Sequence, residues 1–227
     1  MDDVTAVVVS YQQDLDKLSR CLASVLTRAT DLKRLIIVVN DDPAVVPLFN
    51  KLAESYPIIQ VVHCAMLGNW TGPLDWWSQQ YFKLAVSQIV DTSWYLLLDS
   101  DDIIIQDLTE QSLFDQGRAR CLTEDSIYIE QSTNRELLGW LQRARSYLDL
   151  DQQVSWTMGN LTPMLMHTQT TKQLFEKITT ELFDITQPEK LTLEFYLYHA
   201  WLEQQGLFEK LYKPVEFLGY ALDKRGI

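Results

Sequence analysis

The sequence predicts an α/β fold, a mostly parallel sheet flanked by helices and followed by a C-terminal helical portion. Three observations predict it. Continuous aliphatic runs alternate with helix-period segments through the first hundred residues. Polar residues cluster where those runs end. The 227 residues are 47% hydrophobic, enough to bury one sizeable core, and the length favours one domain or one with an appended lobe.

Taken in order, Val4 to Ser10 is a β-branched run that ends at Tyr11 and is followed by a helical pattern of Leu15, Leu18, Leu22, Val25 and Leu26. Leu35 to Val39 is a second buried strand, closed by Asn40, Asp41, Asp42 and Pro43. Val46, Phe49, Leu52 and Ala53 mark a short helix, and Ile58 to His63 a third strand. Unbroken apolar strands of this kind are buried on both faces, as in a parallel sheet. Right-handed crossovers then place their C-terminal ends on one edge, where open α/β sheets bind ligands.

Gly68, Asn69, Gly72 and Pro73 punctuate a loop between Ala65 and Trp76. A helix carrying Trp77, Gln80, Tyr81, Lys83, Leu84 and Val86 follows it. Gln80 and Lys83 share a helical face. Trp94 to Leu98 is the fourth apolar run; Asp99, Ser100, Asp101 and Asp102 come directly after it, before Ile103 to Ile105. Later elements are weaker: a strand over Ser126 to Glu130, a capping box of Thr133 and Glu136 opening a helix through Leu148, and a polar loop from Gln152 to Asn160. A strand from Leu161 to Met166 ends at His167, and a helix runs through Leu182. From Leu191 to Gln205 a helix aims Glu194 inward among Leu191, Phe195, Tyr198, Trp201 and Leu202.

Asp99 and Asp101 lie two apart, so in extended backbone they share one side. Crowded carboxylates are relieved by a hard divalent cation. Mg²⁺ or Mn²⁺ takes oxygen ligands, and Mg²⁺ keeps positions open for water and substrate phosphates. The alternative is a solvated acidic turn closing a strand. A desolvated Glu194 has the raised pKa of a general base, provided nothing pairs with it. His167, at a strand end, is a candidate metal, phosphate or acceptor contact.

The net charge of -12 argues against a nucleic-acid backbone or anionic membrane as the main partner. Cys21, Cys64 and Cys121 are widely spaced and form no CxxC pair, so neither a disulfide framework nor a zinc site is indicated, and a reducing cytoplasm is the simplest setting. No apolar run reaches the roughly 20 residues of a membrane-spanning helix. The chain reads as an intact small enzyme or as a module of a longer protein.

Asp99-Ser100-Asp101 after Leu96-Leu97-Leu98 resembles the DxD motif of GT-A glycosyltransferases, and Val7-Val8-Val9-Ser10-Tyr11 and Val38-Val39-Asn40-Asp41 resemble their nucleotide-cradling segments. Trp77 to Leu84 is similar to the W-x-Q-Q-x-x-K-L element of a poorly characterised family of small bacterial GT-A-like proteins. Pro163 to His167 resembles that family's strand ending in histidine. Glu194-Phe195-Tyr196-Leu197-Tyr198 resembles its S-E-Y-x-L-Y element, with Leu193 in place of the serine and Phe195 displacing the first tyrosine.

The resemblance implies one GT-A (Rossmann-like) domain over 1–227, with a nucleotide-sugar-binding half at 1–105 and an acceptor-side half at 106–227. It implies transfer of a sugar from a nucleotide diphosphate sugar to a saccharide or glycolipid hydroxyl in polysaccharide or glycan synthesis, in the cytoplasm or at the inner membrane face. Asp99 and Asp101 would hold the metal. Ser10, Tyr11, Asn40, Asp41, Gln80, Lys83 and His167 would line the donor site. In a reaction that inverts the anomeric centre Glu194, with Asp102 as second choice, would serve as base; in one that retains it Glu194 would position the acceptor. Two rivals stand beside it: a non-catalytic nucleotide-sugar or glycan-binding module, and a phosphohydrolase with an aspartate nucleophile.

Overall fold

In a computed structural model of the chain, residues 3–125 and 136–221 are described. β1 (Val4–Ser10), β2 (Leu35–Val39), β3 (Ile59–His63) and β4 (Trp94–Leu98) pair in parallel, and β8 (Met164–His167) closes the sheet antiparallel to β4, giving the order β3-β2-β1-β4-β8. β1, β2 and β4 are buried along their whole length, and β3, at the sheet edge, is mostly half-buried. The three continuous apolar runs are therefore the central strands, because only strands covered on both faces need an unbroken apolar sequence.

Between these strands run α1 (Leu15–Arg28), which buries Leu18, Cys21, Leu22 and Val25 at helical spacing, α2 (Val46–Ala53), and α3 (Trp76–Ala85). α3 starts where Asp75 Oδ1 accepts from the Trp77 and Ser78 amides while Ser78 Oγ accepts from the Asp75 amide. From Trp77 onward every residue of α3 is buried, so the helix lies inside the molecule and its Lys83 cannot reach bulk water.

A second, smaller sheet is made by β5 (Phe114–Asp115), β6 (Arg118–Asp125), β7 (Trp156–Met158) and β9 (Tyr212–Val215), the last pairing in parallel with β6. With it go α4 (Glu110–Leu113), α5 (Glu136–Tyr147), α6 (Thr168–Phe175), α7 (Glu194–Gln204) and α8 (Phe208–Leu211). Several expectations change here. The loop at 152–160 contains β7, and the helix expected through Leu182 ends at Phe175, with a separate 3₁₀ turn at Thr180–Phe183. The strand expected over Ser126 to Glu130 and the cap at Thr133 lie outside the described residues.

One core residue carries a pH dependence. His199 on α7 is 2% exposed, and Thr157 Oγ1 lies 3.1 Å from its Nδ1. Burial pushes its pKa down from 6.5 to about 4, against the pull of Glu203. The folded chain thus resists a proton that the unfolded chain accepts. The resulting stability, about 3 kcal/mol by linkage, is complete above pH 6.5 and is lost as the pH falls toward 4. The Tm of His199→Gln is expected to fall less steeply than wild type across that window; equal slopes would place the acid sensitivity elsewhere.

Candidate active site

The first, second and fourth strands deliver their C-terminal ends to one edge of the sheet, and a cleft of about 970 Å³ opens there. Tyr11, Asp41, Asp99 and Asp101, four of the residues expected from the sequence, line it together with Gln12, Asp14, Lys17, Asp75, Trp76 and Gln79. Tyr11 donates its hydroxyl to the Asp75 carbonyl, and Asp41 Oδ2 accepts from the Gln12 amide at 2.9 Å. His63 Nε2 donates to the Asp41 carbonyl at 2.9 Å. The loops after β1, β2 and β3 are thereby tied into one wall.

Ser10 and Asn40 sit behind that wall. Both are 0% exposed. Ser100 Oγ donates to Ser10 Oγ at 2.8 Å, and Asn40 Nδ2 donates to the Asp75 carbonyl at 3.1 Å while its Oδ1 accepts from Ser78 Oγ. They hold the turn after β4 and the start of α3 in place rather than facing a ligand.

The acidic turn divides its carboxylates by depth. Asp101 is exposed in the cleft. Asp102 is 1% exposed, and its Oδ2 accepts from the Asp99 amide at 2.7 Å, closing the turn from beneath. That placement removes Asp102 as a candidate base, because a buried turn-closing carboxylate cannot meet an acceptor. Asp99 is half-buried: Oδ1 lies 2.9 Å from Lys83 Nζ, and Oδ2 accepts from Thr162 Oγ1 at 2.8 Å.

Lys83 is the hub. Its ammonium also lies 3.0 Å from Glu194 Oε1 and 5.5 Å from the centre of the Phe195 ring. Burial works to lower its pKa, and the Asp99 and Glu194 carboxylates outweigh burial and hold it above its ordinary value. Glu194 is 2% exposed at the first position of α7, where the helix dipole favours an anion. Burial raises its pKa and Lys83 opposes that rise. The condition attached to Glu194 as a base, that nothing pair with it, is not met. Its oxygen faces a buried ammonium that also lies against Asp99.

His167 is far from this edge. Because β8 runs antiparallel, its last residue pairs with Trp94, the first residue of β4. Five residues of strand, roughly 16 Å, separate that position from Asp99. The His167 ring packs at 5.0 Å on Trp94, its Nδ1 is 2.7 Å from Thr170 Oγ1, and burial lowers its pKa. The residue that β8 does bring to the site lies just before the strand, Thr162. Gln80 also falls away: 1% exposed, it donates to the Trp76 carbonyl at 2.7 Å, and Gln79 lines the cleft in its place.

Sequence reasoning passed over Asp75, Gln79 and Lys17. Asp75 carried a signal, an acidic residue three before Ser78 and directly before an apolar helix. Trp76, in one of the aromatic loops that the sequence offers as stacking surfaces for sugar rings, lines the cleft and is 48% exposed. Thr162 gave no signal.

The charge of the cleft is one-sided. Asp14, Asp41, Asp75, Asp99 and Asp101 line it, and Lys17 is the one cationic side chain among the described lining residues, itself 3.1 Å from Asp14. Among the described residues no group of three or more His, Cys, Asp or Glu side chains forms a cage for a metal. An exposed Asp101 beside a half-buried Asp99 instead fits the habit of Mg²⁺, which is bound by one or two carboxylates and completes its shell with substrate phosphates and water.

Among solved structures the chain is similar to TarS of S. aureus (TM-score 0.54, 12% identity, covering 97% of this chain and 36% of that one). It is also similar to the glycosyltransferase GlyE of Streptococcus pneumoniae TIGR4 (0.51, 16%, covering 95% and 46%) and to the galactosyltransferase LgtC in complex with donor and acceptor sugar analogues (0.52, 12%, covering 86% and 69%). The chain spans about a third of the length of TarS and under half of that of GlyE. At these identities the likeness shows the fold, the GT-A-type α/β sheet with flanking helices. No curated protein matches the chain. Over residues 4–221 it matches the family of unknown function DUF6492, and the chain belongs to that family.

Proposed function

We propose that this protein is a metal-dependent glycosyltransferase that moves a sugar from a nucleotide diphosphate sugar to a hydroxyl of a saccharide or glycolipid. The observation that carries the reading is the acidic cleft at the C-terminal edge of a parallel sheet. A diphosphate entering it meets five aspartates and one lysine already beside an aspartate, so it binds only if a cation accompanies it. Asp101 would hold that cation, with Asp99 of the same turn as a further ligand or a ribose contact. A divalent ion there would neutralise charge developing on the departing diphosphate.

The chain's own groups supply the rest. Lys83 sits behind Asp99 and sets its orientation and charge. Tyr11 and Trp76 offer aromatic faces at the cleft and Asp41 a carboxylate that suits sugar hydroxyls. Glu194 acts through Lys83 as a positioning residue. Glycosyltransferase folds in TarS, GlyE and LgtC agree with the reading, and membership of DUF6492 leaves the substrate open.

Thermal unfolding with UDP, GDP, TDP and CMP, each with and without Mn²⁺, tests it. A ligand at about 100 times its Kd adds roughly 2.7 kcal/mol, which for a domain of this size is a rise of roughly 5 to 10 °C. One nucleoside diphosphate should give a rise only with Mn²⁺, and Asp101→Asn should abolish it. Binding with no transfer or donor hydrolysis would identify a non-catalytic module, and no rise with any nucleotide would end the proposal.

A further inference from the structure

A second pocket, of about 560 Å³, shares no lining residue with the acidic cleft. It opens where β7 meets the C-terminal half of α7 and α8. Trp156 is 37% exposed there, and its ring is backed by Phe208 at 4.8 Å and His199 at 4.9 Å. Two rings behind it fix the indole, so its open face is presented without an ordering cost on binding. Gln153 and Ser155 are exposed on the rim.

We propose that this pocket is a saccharide-binding site in which a neutral sugar ring lies on the exposed face of Trp156. A sugar ring has an apolar C–H face and a belt of hydroxyls, so it needs a flat aromatic surface with donors and acceptors around its edge. The pocket provides both. His199 lines it while 2% exposed, with Thr157 Oγ1 3.1 Å from its Nδ1, and the exposed Gln153 amide and Ser155 hydroxyl supply donors at the rim. Glu203 supplies acceptor oxygens, held in place by both terminal nitrogens of Arg145, the second at 3.0 Å.

Charge selects a neutral ligand. Arg145 pairs with Glu203, and Lys210 balances Glu209 in number, so the lining carries no excess positive charge to hold a phosphate or a carboxylate. The polar rim disfavours a purely apolar occupant. α7 links the two places: Glu194 supports the cleft at its first position, and His199 to Glu203 underlie the pocket roughly 8 to 14 Å farther along. The inference stands on the pocket's own chemistry, whether or not the cleft transfers a sugar.

The test is an array of short neutral oligosaccharides of glucose, galactose, mannose and N-acetylhexosamines, probed with the full chain and followed by calorimetry on any hit. Wild type should bind at least one class. Trp156→Ala should weaken that binding by about tenfold or more, and Gln153→Ala, an exposed change that leaves the core intact, should weaken it measurably. Asp101→Asn should bind as wild type does. Binding lost in Asp101→Asn and kept in both pocket variants would put the glycan in the cleft and overturn the proposal; so would an array on which wild type binds nothing.

Discussion

Lys83→Met is expected to lower the unfolding midpoint by roughly 6 to 20 °C. The ammonium lies within 3.0 Å of Glu194 and 2.9 Å of Asp99. Glu194 is 2% exposed, so without its partner it becomes an uncompensated buried charge. Breaking a buried pair in this way costs about 3–5 kcal/mol, and a domain of this length loses about 2–4 °C per kcal/mol. Asp99 keeps access to solvent on one side and adds less. The double variant Lys83→Met/Glu194→Gln should recover much of the loss, since a neutral amide needs no counter-charge. Differential scanning calorimetry on the three proteins decides it: a single variant melting within two or so degrees of wild type would show that the pair is not buried as described, given that scale.

For Asp101→Asn the large effect falls on chemistry. The side chain is exposed at the cleft, so folding should be nearly untouched. An amide keeps the shape and discards the charge that would hold a divalent ion. Loss of one electrostatic stabiliser at a reacting group lowers turnover by about 10²- to 10³-fold. Donor hydrolysis or transfer, measured across a Mn²⁺ titration, should fall by that order at saturating metal while Tm without ligand stays put. Retained turnover would mean that the leaving diphosphate is stabilised by other groups.

The first half of the fold was legible in the sequence because its central strands are covered on both faces and therefore unbroken in apolarity. Val4 to Ser10, Leu35 to Val39 and Trp94 to Leu98 match the observed strands at both ends. β6 was not legible: Arg118, Arg120, Thr123, Glu124 and Asp125 interrupt its apolar residues, and its partners β7 and β9 lie far away along the chain. The lining of the candidate cleft was legible where it depends on strand ends, at Tyr11, Asp41, Asp99 and Asp101. It was not legible where it depends on direction or depth. Nothing in Met164 to His167 says that the strand runs backwards, and that reversal is what carries His167 away and brings Thr162 in. Helical periodicity showed that Glu194 points inward, but a partner 111 residues distant leaves no local trace.

The Lys83 cluster joins α3, the turn after β4 and the start of α7 through charges that none of them can expose singly. Such an arrangement couples openings: pulling α7 from the core strands the Lys83 charge, and fraying the end of α3 strands Glu194. Amide hydrogen exchange should therefore find α3 and the first turn of α7 protected to the same free energy and released in one event, a cooperative unit assembled from segments that lie far apart in the chain.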